Sequence, residues 1–343
     1  MKTLRLPKDG LEAFTEVLGG FGAVHAPLRT DTGLAFGRLE HWSDAELEYT
    51  RTTLPPKKYV LPQRETLFRY DPDAGYLPET EEPRERVILL GVHVCDIYGL
   101  NLLDKVFLGD TPDPYYRTRR RNVAVVGIDC VPDEHCFCRS MRADMVDTGF
   151  DLFLCDIGEH YMVVVGTALG DDMVLAAPEL FEEVTDADVE GYKRRSSEKE
   201  RELLLNVDIR GLAELFDLEY DSAVWEELGE RCLSCGKCTM VCPTCYCYDV
   251  RDERAFGEEG STRLRVWDSC LFSQHAAVAG GENFRERNAD RIKYRFYHKH
   301  RGFVVEHGRP SCIGCGRCIV SCPAGIHDVD VMNKLRGVSH AGA

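Results

Sequence analysis

The chain has 343 residues, 44% of them hydrophobic, and a formal net charge of −16. That length holds two or three domains, and the acidity excludes the basic footprint of a general nucleic-acid binder. No run approaches the roughly eighteen apolar residues of a membrane span, and MKTLRLPKDGLEAF has neither the apolar stretch nor the cleavage site of an export signal. A cytoplasmic chain is expected, with no membrane and no nucleic acid among its partners. In that reducing compartment sixteen cysteines point to metal rather than to disulfides.

GGFGAVHAP near residue 19 is not a G-x-G-x-x-G turn, and there is no P-loop, so no FAD or NAD is expected on this chain itself. RVILLGVHVCD (86–96) and NVAVVGIDCV (122–131) are continuous β-branched apolar runs, the mark of strands buried on both faces. Between them DIYGLNLLDKVFLG reads as a helix capped by Asp96, with Ile97, Leu100, Leu103 and Val106 or Phe107 on one face. DLFLCD and YMVVVGTALG add two strands, with Cys155 as core.

Parallel units place functional groups at the carboxyl ends of their strands. Cys95 and Cys130 fall there, and DCVPDEHCFCRS supplies Cys136 and Cys138 just beyond. These four are candidate ligands of a third cluster or of a zinc ion. His93 beside Cys95 reads as a core or supporting histidine rather than a ligand. EGYKRRSSEKERELLLNV (190–207) and GLAELF (211–216) read as connecting helices.

CLSCGKCTMVCPTCYC (232–247) carries the run C-x2-C-x2-C-x3-C-P in Cys232, Cys235, Cys238, Cys242 and Pro243. CIGCGRCIVSCPAG repeats it in Cys312, Cys315, Cys318, Cys322 and Pro323. This is the ligand run of bacterial ferredoxins, in which the fourth cysteine of each run serves the other cluster. One [4Fe-4S] site is therefore assigned Cys232, Cys235, Cys238 and Cys322, and the other Cys312, Cys315, Cys318 and Cys242.

Paired C-x2-C units would suffice for zinc. A radical-SAM reading of Cys238, Cys242 and Cys245 fails because the second run has Gly325 where the third cysteine would stand. Cys245, Cys247 and Cys270 remain as buried thiols near the clusters or as another metal or redox site. In FRERNADRIKYRFYHKHR, Arg285, Arg287, Arg291, Lys293, Arg295, Lys299 and Arg301 outnumber Glu286 and Asp290, a charge suited to offset the clusters or a partner's surface.

The expected fold class is α+β: a mixed α/β sheet domain over 1–185, a helical linker over 186–222, and a mostly helical ferredoxin-like dicluster domain over 223–343 with a long insert at 244–311. Relay of electrons is the expected work. A stand-alone metalloenzyme with a catalytic N-terminal cluster and an iron-sulfur redox sensor are the rivals.

GVHVCDIYGL, DPYYRTRRRNVAVVGIDC, EHCFCRS, CPTCYCYDV, RVWDSC and CIGCGRCIVSCPAG together resemble the iron-sulfur electron-transfer proteins typified by the beta subunit of cytosolic sulfhydrogenases and by its iron-sulfur counterpart in anaerobic sulfite reductase. The resemblance runs from about residue 60 onward. It implies electron transfer between a partner subunit that binds flavin and NAD(P)H and a catalytic oxidoreductase subunit of hydrogenase, sulfite reductase or heterodisulfide-reductase type.

Overall fold

A computed structural model describes residues 2–78, 85–254, 257 and 260–337. Twelve strands are found among them: β1 Thr3–Pro7, β2 Ala23–Thr30, β3 Gly33–Arg38, β4 Arg64–Asp71, β5 Gly75–Pro78, β6 Val87–His93, β7 Val123–Ile128, β8 Leu152–Asp156, β9 His160–Val165, β10 Glu182–Glu183, β11 Tyr248–Glu253 and β12 Ser261–Trp267.

Eight form one sheet in the order β10-β1-β9-β8-β7-β6-β2-β3. Its centre is parallel: β2, β6, β7 and β8 run together, and β9, β1, β10 and β3 are antiparallel additions at the two sides. Both faces are covered. Ile88, Leu90, Val126 and Leu152 pack toward Leu11, Phe14 and Leu18 of one helix and Met173 and Val174 of another. Leu89, Val125 and Phe153 point the opposite way, toward Ile97, Leu100, Leu103 and Phe107. That is why β6 and β7 read as unbroken apolar runs, each large buried side chain contributing roughly 1.5–3 kcal/mol.

The helix after β6 begins at Val94, earlier than an Asp96 cap would have it. Asp96 is 1% exposed and faces a distant guanidinium instead of the helix's own amides, which moves Cys95 from the strand end into the first helical turn. The linker helix starts at Asp186, ahead of the charged stretch read from 190, because Thr185 and Asp188 close a capping box. It ends at Glu202, and Leu204 beyond it is 74% exposed.

A four-stranded antiparallel sheet in the order β11-β12-β4-β5 ties distant segments together. Its hairpin β11–β12 comes from the long insert and pairs with β4. Buried Arg265 on β12 seals the junction, bonding both Glu65 on β4 and Asp113. The remaining core is helical, with Phe216, Trp225, Leu228, Ile292, Phe296, Val329 and Met332 converging from four helices.

Candidate metal centres

The first cysteine run leaves the end of the helix Val224–Arg231, where the Cys232 amide donates to the Leu228 carbonyl at 2.8 Å. Gly236, at φ 71°, then turns the chain into a one-turn helix, Lys237–Met240. Cys232, Cys235 and Cys238 are thereby wrapped round a single cavity, and Cys322 from the second run lines it with them. Cys235 is exposed, and neighbouring Leu233 is 66% exposed. Burial pushes the Cys238 thiol up to about 11, so loading metal there releases a proton at neutral pH.

The second run repeats the turn, with Gly316 at φ 72° before Arg317–Val320. Its thiols gather round the fourth cysteine of the first run: Cys242 acts electrostatically on Cys312 and Cys315, and those two act on Cys318. Lys299 Nζ donates to Cys242 Sγ at 3.2 Å and to Thr244 Oγ1 at 2.6 Å. Burial alone would lower that ammonium's pKa, but the surrounding thiols Cys242, Cys245 and Cys312 reverse the sign and raise it.

Lys299 belongs to a π-helical turn, His298–Gly302, continuous with the helix Asn288–Tyr297. The widened turn buries two consecutive residues, Lys299 at 6% and His300 at 0% exposure. One helix face therefore carries Arg291, Arg295 and Lys299 inward, each buried, in keeping with a basic run that offsets cluster charge. Arg295 pairs with buried Asp328 through two bonds of 3.1 Å. Burial favours the neutral acid at Asp328, but Arg295 outweighs it and holds the carboxyl low. Arg287 and Arg301 stay at the surface on Glu226 and Asp217.

Cys95, Cys130, Cys136 and Cys138 share the lining of a third cavity. Cys95 comes from the helix after β6, Cys130 from just past β7, and the other two from the following loop. Two cations reach them that the sequence does not single out. Arg51 Nη2 donates to Cys136 Sγ at 3.4 Å and pairs with Asp133. Lys199, near the end of the linker helix, donates to Asp129 at 2.6 Å, and its charge acts on Cys130. Burial holds the Cys136 thiol up, at about 11. Lys199 sits in a charged stretch with no periodicity to mark it, and only the fold's return across β7 and β8 brings it inward.

The three sets are neighbours in a fixed order. Cys318 of the second set also lines the first cavity, and Cys315 also lines the third. The second set is therefore in the middle. Gly314, at φ 68°, lies so close to the third set's loop that a Cβ would stand 2.5 Å from the Phe137 carbonyl carbon, and its carbonyl accepts from the Phe137 amide at 2.8 Å. Asp96 and Arg317 clamp the same junction.

His93 is buried and stacks on Tyr49 with ring centroids 3.8 Å apart. Cys155 is core on β8. Cys238 and Cys242, which a radical-SAM motif would place on one cluster, face different sets.

Four thiolates on one zinc lie about 3.8 Å apart, from Zn–S distances near 2.3 Å. Among the described residues, three ligand atoms come within 4.8 Å of one another only at His300, Cys312 and Asp328. No disulfide joins any of the sixteen cysteines.

Residues 231–326 match the 4Fe-4S dicluster domain family. Along its length the chain is 39% identical over 337 residues to the sulfhydrogenase 2 subunit beta of Pyrococcus furiosus, an alignment covering 98% of this chain and 99% of that protein. No helix among the described residues is long and apolar enough to cross a membrane. With a 4Fe-4S dicluster domain set against a mixed sheet, and with that degree of identity, the chain belongs to the sulfhydrogenase beta-subunit family of iron-sulfur electron-transfer proteins.

Proposed function

We propose that this chain is the electron-relay subunit of a cytoplasmic oxidoreductase complex, standing between a partner that binds flavin and NAD(P)H and a catalytic subunit of hydrogenase type. The observation that carries the reading is the meeting of Cys322 with Cys232, Cys235 and Cys238 around one cavity, eighty-odd residues from the rest of its own set's ligands. Crossed fourth ligands are the device by which two-cluster ferredoxins hold their cubanes together. Cys312, Cys315, Cys318 and Cys242 hold the second cluster in this reading, and Cys95, Cys130, Cys136 and Cys138 a third.

Bound clusters supply one-electron storage, and the chain's own residues insulate, charge and order the three sites. The order of cavities gives the relay its direction in space: the third set at one end, the second in the middle, and the first at the surface where Cys235 is exposed. Four thiols at the third set leave no designed open position, which favours relay over chemistry there. Lys299 beside the second set, and Arg51 and Lys199 beside the third, place positive charge against thiolates, raising the affinity of those two sites for an added electron.

Iron and sulfide analysis of anaerobically purified protein tests the reading. About twelve irons per chain are expected, with about eight marking loss of the third site. Zinc with little iron refutes it.

A further inference from the structure

The two cysteine runs repeat one another, and what covers them differs. Leu233, Ser234 and Lys237 of the first stand where Ile313, Gly314 and Arg317 stand in the second. The turns match as well. Ser234, at φ 51°, takes the left-handed backbone that Gly314 takes at φ 68°, although it carries a side chain. The same loop is thereby built twice.

In the second run its surface is occupied. Ile313 is 2% exposed, and Arg317, equally buried, reaches Asp96 through two bonds. The loop that carries Cys136 and Cys138 lies against the turn: the Phe137 amide donates to the Gly314 carbonyl, and a Cβ on Gly316 would stand 2.6 Å from the His135 carbonyl oxygen. Cys315, between those glycines, lines the third set's cavity as a result. A buried apolar side chain, a cation on a carboxylate and the cysteine between them are how this chain docks one cysteine set on another.

In the first run the matching positions are open. Leu233 is 66% exposed, and Cys235 and Lys237 are exposed beside it. Phe272 and Asn288 close only the flank, at Gly236 and Ser234. Lys237 has no carboxylate partner among the described residues. Neither has Arg231, which bonds the Ala324 and Gly325 carbonyls at the same cavity's edge. A chain of net charge −16 thus sets two uncompensated cations around the one exposed cysteine of its sixteen. Leu233 continues into an open groove with Tyr248 and Phe272, so the uncovered ground extends past a single side chain.

We propose that this face docks a second protein subunit with an acidic rim, which sets a carboxylate on Lys237, an apolar side chain on Leu233 and its own one-electron cofactor opposite Cys235. That subunit does for the first set what the N-terminal domain does for the second with Asp96 and the cysteines facing Cys315. Opposite charge steers the encounter and fixes its register, and the apolar contact excludes water. One electron then passes between the subunit's cofactor and the first cluster, with no bond made and no proton moved. The electron step rests on the relay function proposed above.

The test isolates the tagged, full-length chain anaerobically from its own organism, together with the subunits that accompany it. The complex is treated with a water-soluble carbodiimide, which joins an ammonium to a carboxylate in contact with it. Linked peptides are mapped by mass spectrometry, and iron is measured on the same sample. A link from Lys237 to an aspartate or glutamate of a flavin- or metal-bearing subunit is expected, with residues 232–240 protected from hydrogen exchange relative to the chain expressed alone. Lys237→Glu and Leu233→Asp should each raise the dissociation constant of that subunit at least about tenfold, at unchanged iron content. Changing the linked carboxylate to lysine should restore binding to Lys237→Glu. Lys193→Glu, at an exposed lysine of the linker helix paired with Glu190, should bind as wild type does.

An iron-replete complex in which Lys237 gives no link and residues 232–240 exchange as freely as in the chain alone overturns the proposal. So does wild-type affinity in Lys237→Glu, or a link from Lys237 to a second copy of this chain. The wild-type peptide map decides even where a variant is unstable. A chain isolated iron-poor, or without any cofactor-bearing subunit, refutes the relay reading and this face with it, so the two failures are told apart.

Discussion

Asp96, at the start of the helix after β6, and Arg317, inside the second cysteine run, form a two-pronged ion pair of 2.7 and 2.8 Å across 221 residues, both side chains at most 2% exposed. Arg317 also donates to the Thr52 carbonyl at 2.9 Å. The middle cysteine set and the N-terminal set are held at one separation by this pair. Arg317 therefore has a task that the matching Lys237 of the first run, which lines a cavity open to the surface, does not share.

Removing one partner leaves the other charge buried. Asp96→Asn and Arg317→Met should each destabilise the chain by about 3–5 kcal/mol, and the double variant by less than their sum. Denaturant unfolding under argon checks this. Arg317→Lys should recover only part of the loss, since an ammonium cannot make the two parallel bonds.

Gly314 is held at φ 68° with the backbone of the N-terminal loop against it. Gly314→Ala meets both a strained left-handed conformation and a carbonyl carbon that cannot move aside. Loss of roughly 2 kcal/mol or more is expected, with selective loss of iron from the third set. Gly325→Ala is the control: φ is 60° there too, but no atom lies within 4 Å of the added carbon.

Lys299→Met removes the one ammonium that touches Cys242 among the described residues. The charge on an added electron would lose its nearest compensation, so the midpoint potential of the second cluster should fall while that of the first changes little. Redox titration followed by electron paramagnetic resonance measures both, and iron content should stay at the wild-type value.

Both ring nitrogens of His300 lack a hydrogen-bond partner among the described residues. Burial pushes its pKa down to about 4. The unfolded chain, with a histidine near 6.5, therefore binds the proton more readily than the folded one. Stability from the neutral ring is complete above about pH 6.5 and is lost as pH falls toward 4, by up to about 3 kcal/mol. His300→Leu should flatten the stability profile between pH 7 and 5, measured as denaturation midpoints. An unchanged slope would remove His300 as its source.

The two cysteine runs and the parallel strands are legible in the sequence because each is a local pattern. Spacing alone announces the runs, and β6 and β7 are apolar on both faces because helices cover both. The helix caps are less so. Asp96 looks like a cap beside Val94 and Cys95 until Arg317 claims its carboxylate from the far end of the chain. The pairing of β12 with β4 has no signal, since strands separated by nearly two hundred residues carry no shared period. Lys199 and Arg51 escape notice for the same reason: their partners are set by topology and not by neighbours in sequence. The basic face of Arg291, Arg295 and Lys299 is readable as charge, but its burial requires the π-helical turn.

Crossed ligation makes one direct demand, that the first and second clusters lie close enough for their unpaired spins to interact. Electron paramagnetic resonance of the fully reduced chain should show broadened, mutually coupled signals from that pair, sharpening to a single uncoupled signal when Cys322 is replaced by alanine. Independent, unbroadened signals from the reduced wild type, unaffected by that replacement, would contradict the account.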